Sequence, residues 1–204
     1  MPGLDAWEAW HPSEAAQRLS GVDSRWCVAA GWAIDLFLGR QTREHADLEI
    51  AVPADRFDEV RDRLPEMDFF AVDDGTLVPL ATSEAPPAHT HQTWALERSS
   101  GRWRLDVFRE PAEGQTWVFR RDPAIRRPYA EIVEVTADGV PYLAPEVALL
   151  YKAKGVRPKD DADLDLVLPR LSGRQRAWLR SALDRVHPGH TWLARLDPGR
   201  AGLE

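Results

Sequence analysis

Residues 45–52 read His-Ala-Asp-Leu-Glu-Ile-Ala-Val, and this run sets the tightest limit on what the chain can become. A strand turns successive side chains to opposite faces. Here that places Leu48, Ile50 and Val52 in a core and Asp47, Glu49 and Ala51 together on the other face. Two carboxylates side by side repel each other unless positive charge lies between them. A divalent cation supplies that charge, and hard oxygen ligands that leave room for water and phosphate suit Mg²⁺.

The segment just upstream, residues 25–39, reads as a short buried strand followed by an apolar helix that Gly31 opens and Gly39 ends. A helix N-terminus exposes unpaired N–H groups and a partial positive charge, and a glycine there lets a phosphate approach the backbone closely. A glycine in this position can equally do no more than make the turn. A third carboxylate fits the same pattern. In residues 102–108, Trp103, Leu105 and Val107 alternate toward a core, and Arg102, Arg104 and Asp106 toward the other face. If this strand lies beside residues 47–52, Asp106 joins Asp47 and Glu49, and three carboxylates around one or two metal ions form a phosphoryl- or nucleotidyl-transfer site. Standing alone, Asp106 would be a surface aspartate paired with an arginine.

At 204 residues the chain can bury one core, or one core with an appended lobe. The single cysteine, Cys27, excludes an intrachain disulfide and reads as a core residue. No apolar run reaches the ~20 residues that span a membrane, and the first residues lack the pattern of a signal peptide, so the expected location is cytoplasmic. The net charge of -7 divides into -10 over residues 1–143 and +3 beyond them. An acidic front disfavours nucleic-acid backbones and suits metal ions and a cationic small molecule, though an acidic surface also serves solubility alone.

The remaining pattern predicts a helix over residues 12–19 capped by Ser13, a helix over 55–64, and strands at 68–72, 76–80, 90–97, 102–108, 115–120 and 130–136. Ser99, Ser100 and Gly101 mark a hairpin, and residues 82–88 form a loop. Pro145 starts a helical tail of three packed helices, with apolar spacing at Leu164, Val167, Leu168 and Leu171 and again at Leu179, Ala182, Leu183 and Val186. The expectation is an α/β (α+β) chain: a mixed-sheet domain over residues 1–143 and a helical lobe over 144–204.

Taken together, Gly31-Trp-Ala-Ile-Asp-Leu-Phe-Leu-Gly-Arg40, then Gln-Thr-Arg-Glu-His45, then Asp47-Leu-Glu-Ile50 resemble the small antibiotic nucleotidyltransferases of the polymerase-β-like superfamily, in particular the aminoglycoside 2''-adenylyltransferases and lincosamide nucleotidyltransferases. Residues 139–168 are similar to the helical part of that group. The resemblance implies a nucleotidyltransferase core in which Asp47, Glu49 and Asp106 hold Mg²⁺ and Asp106 also takes the proton of the acceptor hydroxyl. It further implies that Gly31 and its neighbours contact the phosphates of ATP, with Arg43, Lys152 and Lys154 as candidate phosphate partners. Lys152 and Lys154 are two apart on a helix and point in different directions, so one of them at most reaches the site. The implied partners are a nucleoside triphosphate and a small hydroxylated acceptor, an aminoglycoside or lincosamide being the model, with neither membrane nor nucleic acid.

Two positions depart from the group's pattern. Ala30 stands where a further glycine is usual, and Glu49 stands where the wider superfamily has aspartate. A shift of ~1 Å in a catalytic group can cost on the order of 10²-fold in rate. Two other readings therefore stay open: a catalytically degenerate relative that binds nucleotide or a protein, and a toxin-type enzyme acting on tRNA or protein. Among the remaining residues, Trp32 reads as core, Asp35 as a buried carboxylate bracing Arg40 or a backbone N–H, and His45 as a residue that fixes its loop. His89 and His91 read as wall of an acceptor cleft, residues 160–165 as a solvated helix face, and His187 and His190 as an exposed turn.

Overall fold

The computed structural model describes residues 2–82 and 84–197. After α1 (Pro12–Arg18) the chain forms β1 (Cys27–Val28), α2 (Ala30–Leu38) and β2 (Glu49–Pro53). A 3-10 turn (Ala54–Arg56) leads into α3 (Phe57–Arg63), followed by β3 (Met67–Asp73), β4 (Thr76–Leu80), β5 (Gln92–Glu97) and β6 (Arg102–Glu110). Short strands come next: β7 (Ala112–Glu113), β8 (Thr116–Val118), β9 (Arg126–Pro128), β10 (Val133–Val135) and β11 (Pro141–Leu143). The helices α4 (Pro145–Lys152), α5 (Pro158–Val167) and α6 (Gly173–Val186) follow, and a 3-10 turn (Thr191–Ala194) comes after them.

Eight strands make one mixed sheet in the order β10-β11-β1-β2-β6-β5-β3-β4, and β7, β8 and β9 make a second, antiparallel sheet. The decisive pairing is parallel: β2 lies against β6 with Glu49 opposite Asp106 and Pro53 opposite Glu110. The alternation expected of β2 holds, and in β6 it holds for Leu105 and Val107, but a bulge between Ala95 and Leu96 of the facing strand breaks it before Trp103, which joins a separate cluster with Phe70 and Leu96. Leu48, Ile50 and Val52 are buried, as are Trp103, Leu105 and Val107. The β5–β6 hairpin turns at residues 99–101, where Gly101 takes a φ of 66° that suits glycine.

The three expected tail helices are present. Pro145 occupies the first turn of α4, where its missing N–H costs nothing. One buried apolar cluster runs from β1, α2 and β2 through β11 into α4, α5 and α6. A satellite of Trp7, Phe70, Trp94 and Trp103 packs by ring edges on the other side of the sheet. No described helix is long and apolar enough to cross a membrane.

Several expectations need correction. His11, not Ser13, caps α1: its Nδ1 accepts from the Ser13 N–H at 3.3 Å. Asp47 precedes β2 in a bend instead of lying in the strand. Residues 130–136 divide into a 3-10 turn (Tyr129–Glu131) and β10. The acidic run at 160–165 is not a solvated face. Asp160 and Asp163 are buried, and both accept ion pairs from Lys152 Nζ, at 3.2 and 2.9 Å. Asp160 also receives the Arg157 side chain at 2.8 Å and the Arg157 N–H at 3.0 Å. The helical spacing of these carboxylates turns one stripe of α5 onto α4, and the charges are paired where they meet.

Burial alone would push the Asp160 carboxyl up, but the Arg157 hydrogen bonds and Lys152 outweigh it and hold the pKa at about 2. A depressed carboxyl stabilises the fold above the ordinary carboxylate range, and that contribution is lost as pH falls through it toward about 2. Asp160→Asn should therefore lower the unfolding midpoint at pH 7 while narrowing its gap from wild type below pH 3, a comparison for acid-titrated thermal melts.

Candidate active site

A cleft of ≈ 530 Å³ opens between the N-terminus of α2, the exposed face of β2 and β6, and helix α4. Asp47, Glu49 and Ala51 line it from β2 and the bend before it, and Phe108 and Glu110 line it from β6. Asp106 lies behind this wall. It is buried at 4% exposure, next to Glu49 across the β2–β6 pairing. Gln92 on β5 donates to Asp106 Oδ2 at 2.5 Å, while Oδ1 is buried with no hydrogen-bond partner.

The carboxylates perturb one another. Burial, then the neighbouring Asp47, pushes Glu49 up to about 7, with Lys152 working in the opposite direction. Burial also raises Asp106 well above the usual range, with Glu49 and Asp47 adding to the rise and Gln92 reducing it. Neighbouring strands lie about 4.8 Å apart, and two full charges at that distance repel by about 3 kcal/mol at an effective dielectric of 20. The donor chemistry fits a hard divalent cation: all-oxygen ligands, mutually repelling, one with an orphaned buried oxygen. Among the described residues, no three carboxylate, histidine or cysteine groups are gathered closely enough to be a ready-made metal cluster.

The helix end is built differently from the simple expectation. No side chain caps Ala29, and Ala29, Ala30 and Gly31 all line the cleft. Gly31 is required by packing. A Cβ there would strike the Arg43 guanidinium and lie 2.7 Å from His45 Cε1. Asp35 braces this arrangement by accepting from Thr42 Oγ1 at 2.5 Å and pairing with His45 Nε2 at 2.6 Å, where Arg40 or a backbone N–H was expected as its partner. Burial lowers the His45 pKa, with the Asp35 hydrogen bond acting in the opposite direction. Trp32 stacks on this ring at 4.4 Å. Ala30 takes a φ of 51°, the left-handed region that favours glycine.

Of the expected phosphate partners, Arg43 and Lys152 line the cleft and Lys154 does not. Arg43 Nε stands 3.8 Å from Asp163, which Lys152 shares. Arg157, Lys159, Arg120 and Arg121 also line the cleft, as do Trp117, Tyr129 and Tyr151. No sequence motif marks Arg120 or Arg121; they follow an unremarkable short strand. His89 and His91 are not on the cleft wall. His89 pairs with Asp73 at 3.0 Å, and His91 lies near Phe108 with ring centres 6.4 Å apart. His190 packs inward, with Nε2 3.1 Å from the Ala153 carbonyl.

A family model described as aminoglycoside-2''-adenylyltransferase matches residues 13–87, the stretch holding α2, Asp47 and Glu49. The solution structure of the antibiotic-resistance factor ANT(2'')-Ia aligns with a TM-score of 0.55 at 18% identity, covering 85% of this chain and 91% of that one. ANT(2'')-Ia in complex with adenylyl-2''-tobramycin aligns at 0.54 and 16%, covering 85% and 93%. The lincomycin-bound lincosamide antibiotic adenylyltransferase LnuA aligns at 0.54 and 13%, covering 78% and 97%. The chain has the nucleotidyltransferase fold. Its α/β sheet with a helical C-terminal part, and its likeness to these adenylyltransferases, agree with the resemblance carried by residues 31–50. No curated protein sequence matches it.

The two residues at the helix start should respond to substitution in opposite ways. Ala30→Gly relieves about 1–2 kcal/mol of backbone strain and returns about 0.5–1 kcal/mol to the unfolded chain as entropy, so a small net gain in denaturant midpoint is expected. Gly31→Ala overpacks Arg43 and His45 and should cost about 1–3 kcal/mol in the same measurement. For Glu49 the folded pKa is raised, so its ionisation opposes folding progressively as pH rises from the ordinary range through about 7. Glu49→Gln should melt higher than wild type at pH 8 in metal-free buffer and equally at pH 4.

Proposed function

We propose that this protein is a Mg²⁺-dependent nucleotidyltransferase of the cytoplasm that moves AMP from ATP to a hydroxyl of a small molecule. The observation that carries this reading is the parallel register that sets Asp106 beside Glu49, with Asp47 next to them on the wall of a cleft that also receives an uncapped helix end. The family-model match supports the nucleotide and adenylyl parts of the reading. In the bound structures among the compared proteins the acceptors are tobramycin and lincomycin, which makes an antibiotic the first acceptor class to try.

Asp47, Glu49 and Asp106 would hold the metal. The cation would neutralise charge on the α-phosphate and on the attacking oxygen. The chain's own groups supply the rest. The first-turn N–H groups of α2 face the triphosphate, and Arg43 and Lys152 add positive charge beside it. Lys154 stays outside this set. Asp106 has a raised pKa and an unpaired Oδ1, and Gln92 fixes the orientation of its carboxyl; it is the group to accept the hydroxyl proton as that oxygen attacks the α-phosphorus in line and pyrophosphate departs. Positioning and charge neutralisation carry most of the rate. Residues 1–143 would provide the catalytic sheet, and residues 144–204 the helical wall that delivers Lys152.

Pyrophosphate release from ATP, measured over a panel of hydroxylated acceptors, should require Mg²⁺. It should fall by about 10²-fold or more in Asp47→Asn and in Asp106→Asn. Full turnover by both variants would refute the site. Wild type should also show a Mg²⁺-dependent rise in unfolding midpoint with a non-hydrolysable ATP analogue; a ligand at 100 times its dissociation constant adds about 2.7 kcal/mol.

A further inference from the structure

The inner end of the cleft has a different character from the carboxylate end. Glu110 lies four positions after Asp106 on β6, a rise of about 13 Å. Around Glu110 stand Phe108, Trp117, Tyr129 and Tyr151 on the cleft wall, together with Arg120 and Arg121. Glu110 is buried and already engaged: the Tyr151 hydroxyl donates to it, and Arg120 Nε lies 3.6 Å away.

The cations here outnumber their counter-ions. Arg120 Nε is buried without a hydrogen-bond partner, and its guanidinium lies 5.4 Å from the Tyr151 ring centre. Arg121 donates to the Tyr151 carbonyl at 3.0 Å and lies over the same ring at 5.4 Å, with no ion pair among the described residues. Behind the wall, buried Arg109 donates to the hydroxyls of Thr93 and Thr90, at 3.0 and 2.6 Å, and has no ion pair among the described residues. Lys154, exposed and off the cleft wall, has no carboxylate partner among the described residues. The field these groups create is visible at His91, which burial first, then Arg120, Arg109, Arg121 and Lys154, bring down to about 4. On the cleft wall one carboxylate, Glu110, serves two guanidiniums, and a ligand anion would supply the counter-charge that Arg121 lacks.

We propose that this inner end is an acceptor subsite for an anionic group, a carboxylate or phosphate carried on an aromatic or otherwise flat apolar body, with Arg120 and Arg121 as the residues that select it. The subsite rests on the nucleotidyltransferase reading for its role as acceptor site. It places the acceptor's anion toward the Glu110 end of β6, whose backbone lies about 13 Å along the strand from Asp106. A polycation such as tobramycin would meet like charge here, and like-charge contact in a low-dielectric cleft is strongly unfavourable. Arginine suits the task because its fork grips both oxygens of a carboxylate or phosphate while its face stacks on the ring of Tyr151.

Benzoate and benzamidine carry the same ring with opposite charge and serve as probes. In saturation-transfer NMR with the full chain, benzoate should bind and benzamidine should not, both without nucleotide and with Mg²⁺ and a non-hydrolysable ATP analogue present. Arg121→Gln and Arg120→Gln should each weaken benzoate by about tenfold, Arg121→Lys by less, and the affinity for the nucleotide analogue should stay unchanged in all three. Benzamidine bound in place of benzoate, or benzoate binding untouched in both glutamine variants, would overturn the subsite. A tenfold loss of nucleotide affinity in Arg121→Gln would also overturn it, because the arginines would then serve the triphosphate. Tobramycin adenylylated with a kcat/KM unchanged by Arg121→Gln would do the same. If the nucleotide analogue fails to bind wild type in any metal, the transferase reading falls, while the benzoate measurement made without nucleotide still decides the anion site.

Discussion

The parallel pairing of β2 with β6 is the constraint on which the rest depends. It costs the fold something, since register alone puts Glu49 beside Asp106 with Asp47 one strand-repeat away. The repulsion is tolerated because the other faces of the same two strands bury Leu48, Ile50, Leu105 and Val107 completely. At about 25 cal/mol per Å² of apolar surface, each such side chain returns about 1.5–3 kcal/mol, enough for four of them to exceed one carboxylate repulsion of about 3 kcal/mol. The core thus holds together a group of charges that would separate if free to do so. Burial first, and then this repulsion, raises the pKa values of Glu49 and Asp106.

The positive side of the site is organised by partners of its own. Lys152 does not reach into the cleft as a free side chain; Asp160 and Asp163 grip its ammonium, and Asp163 also faces Arg43. Holding a lysine between two carboxylates removes its rotamer freedom before any ligand arrives, so less entropy is lost on binding. The Asp35–His45–Trp32 stack does the same for the loop between α2 and β2. Gly31 lies where both supports meet. Its missing side chain makes room for Arg43 and His45, which connects the helix end to the carboxylate strand through packing.

The parts of this architecture that were legible in the sequence are those governed by short periodicities. The alternation at residues 48–52 and 105–107 assigned the buried face correctly, although nothing in it marks the bulge that turns Trp103 away, and the glycine and proline punctuation placed α2, the β5–β6 hairpin and the start of α4. Legibility ended where a side chain's partner lies far along the chain. The acidic stripe of α5 reads as solvated until Lys152 and Arg43 are seen beside it. Gly31 reads as a phosphate turn until the ring of His45 is seen to fill the space next to it. Arg120 and Arg121 lie in a turn between two three-residue strands, too short to leave a period, and their meeting with Glu110 and Tyr151 is entirely a product of tertiary packing.

Net charge illustrates the same limit. An excess of ten negative charges over residues 1–143 suggests a surface that attracts cations, and over distances beyond the Debye length of about 8 Å little of that field survives at physiological salt. What a ligand meets inside the cleft is set by the few groups within reach and by the low dielectric around them. There the carboxylates gather at the β2–β6 register, and the guanidiniums gather at the other end of β6. A molecule lying along this cleft therefore spans a dipole whose direction is fixed by the strand. An acidic protein can in this way hold a site whose far end prefers an anion.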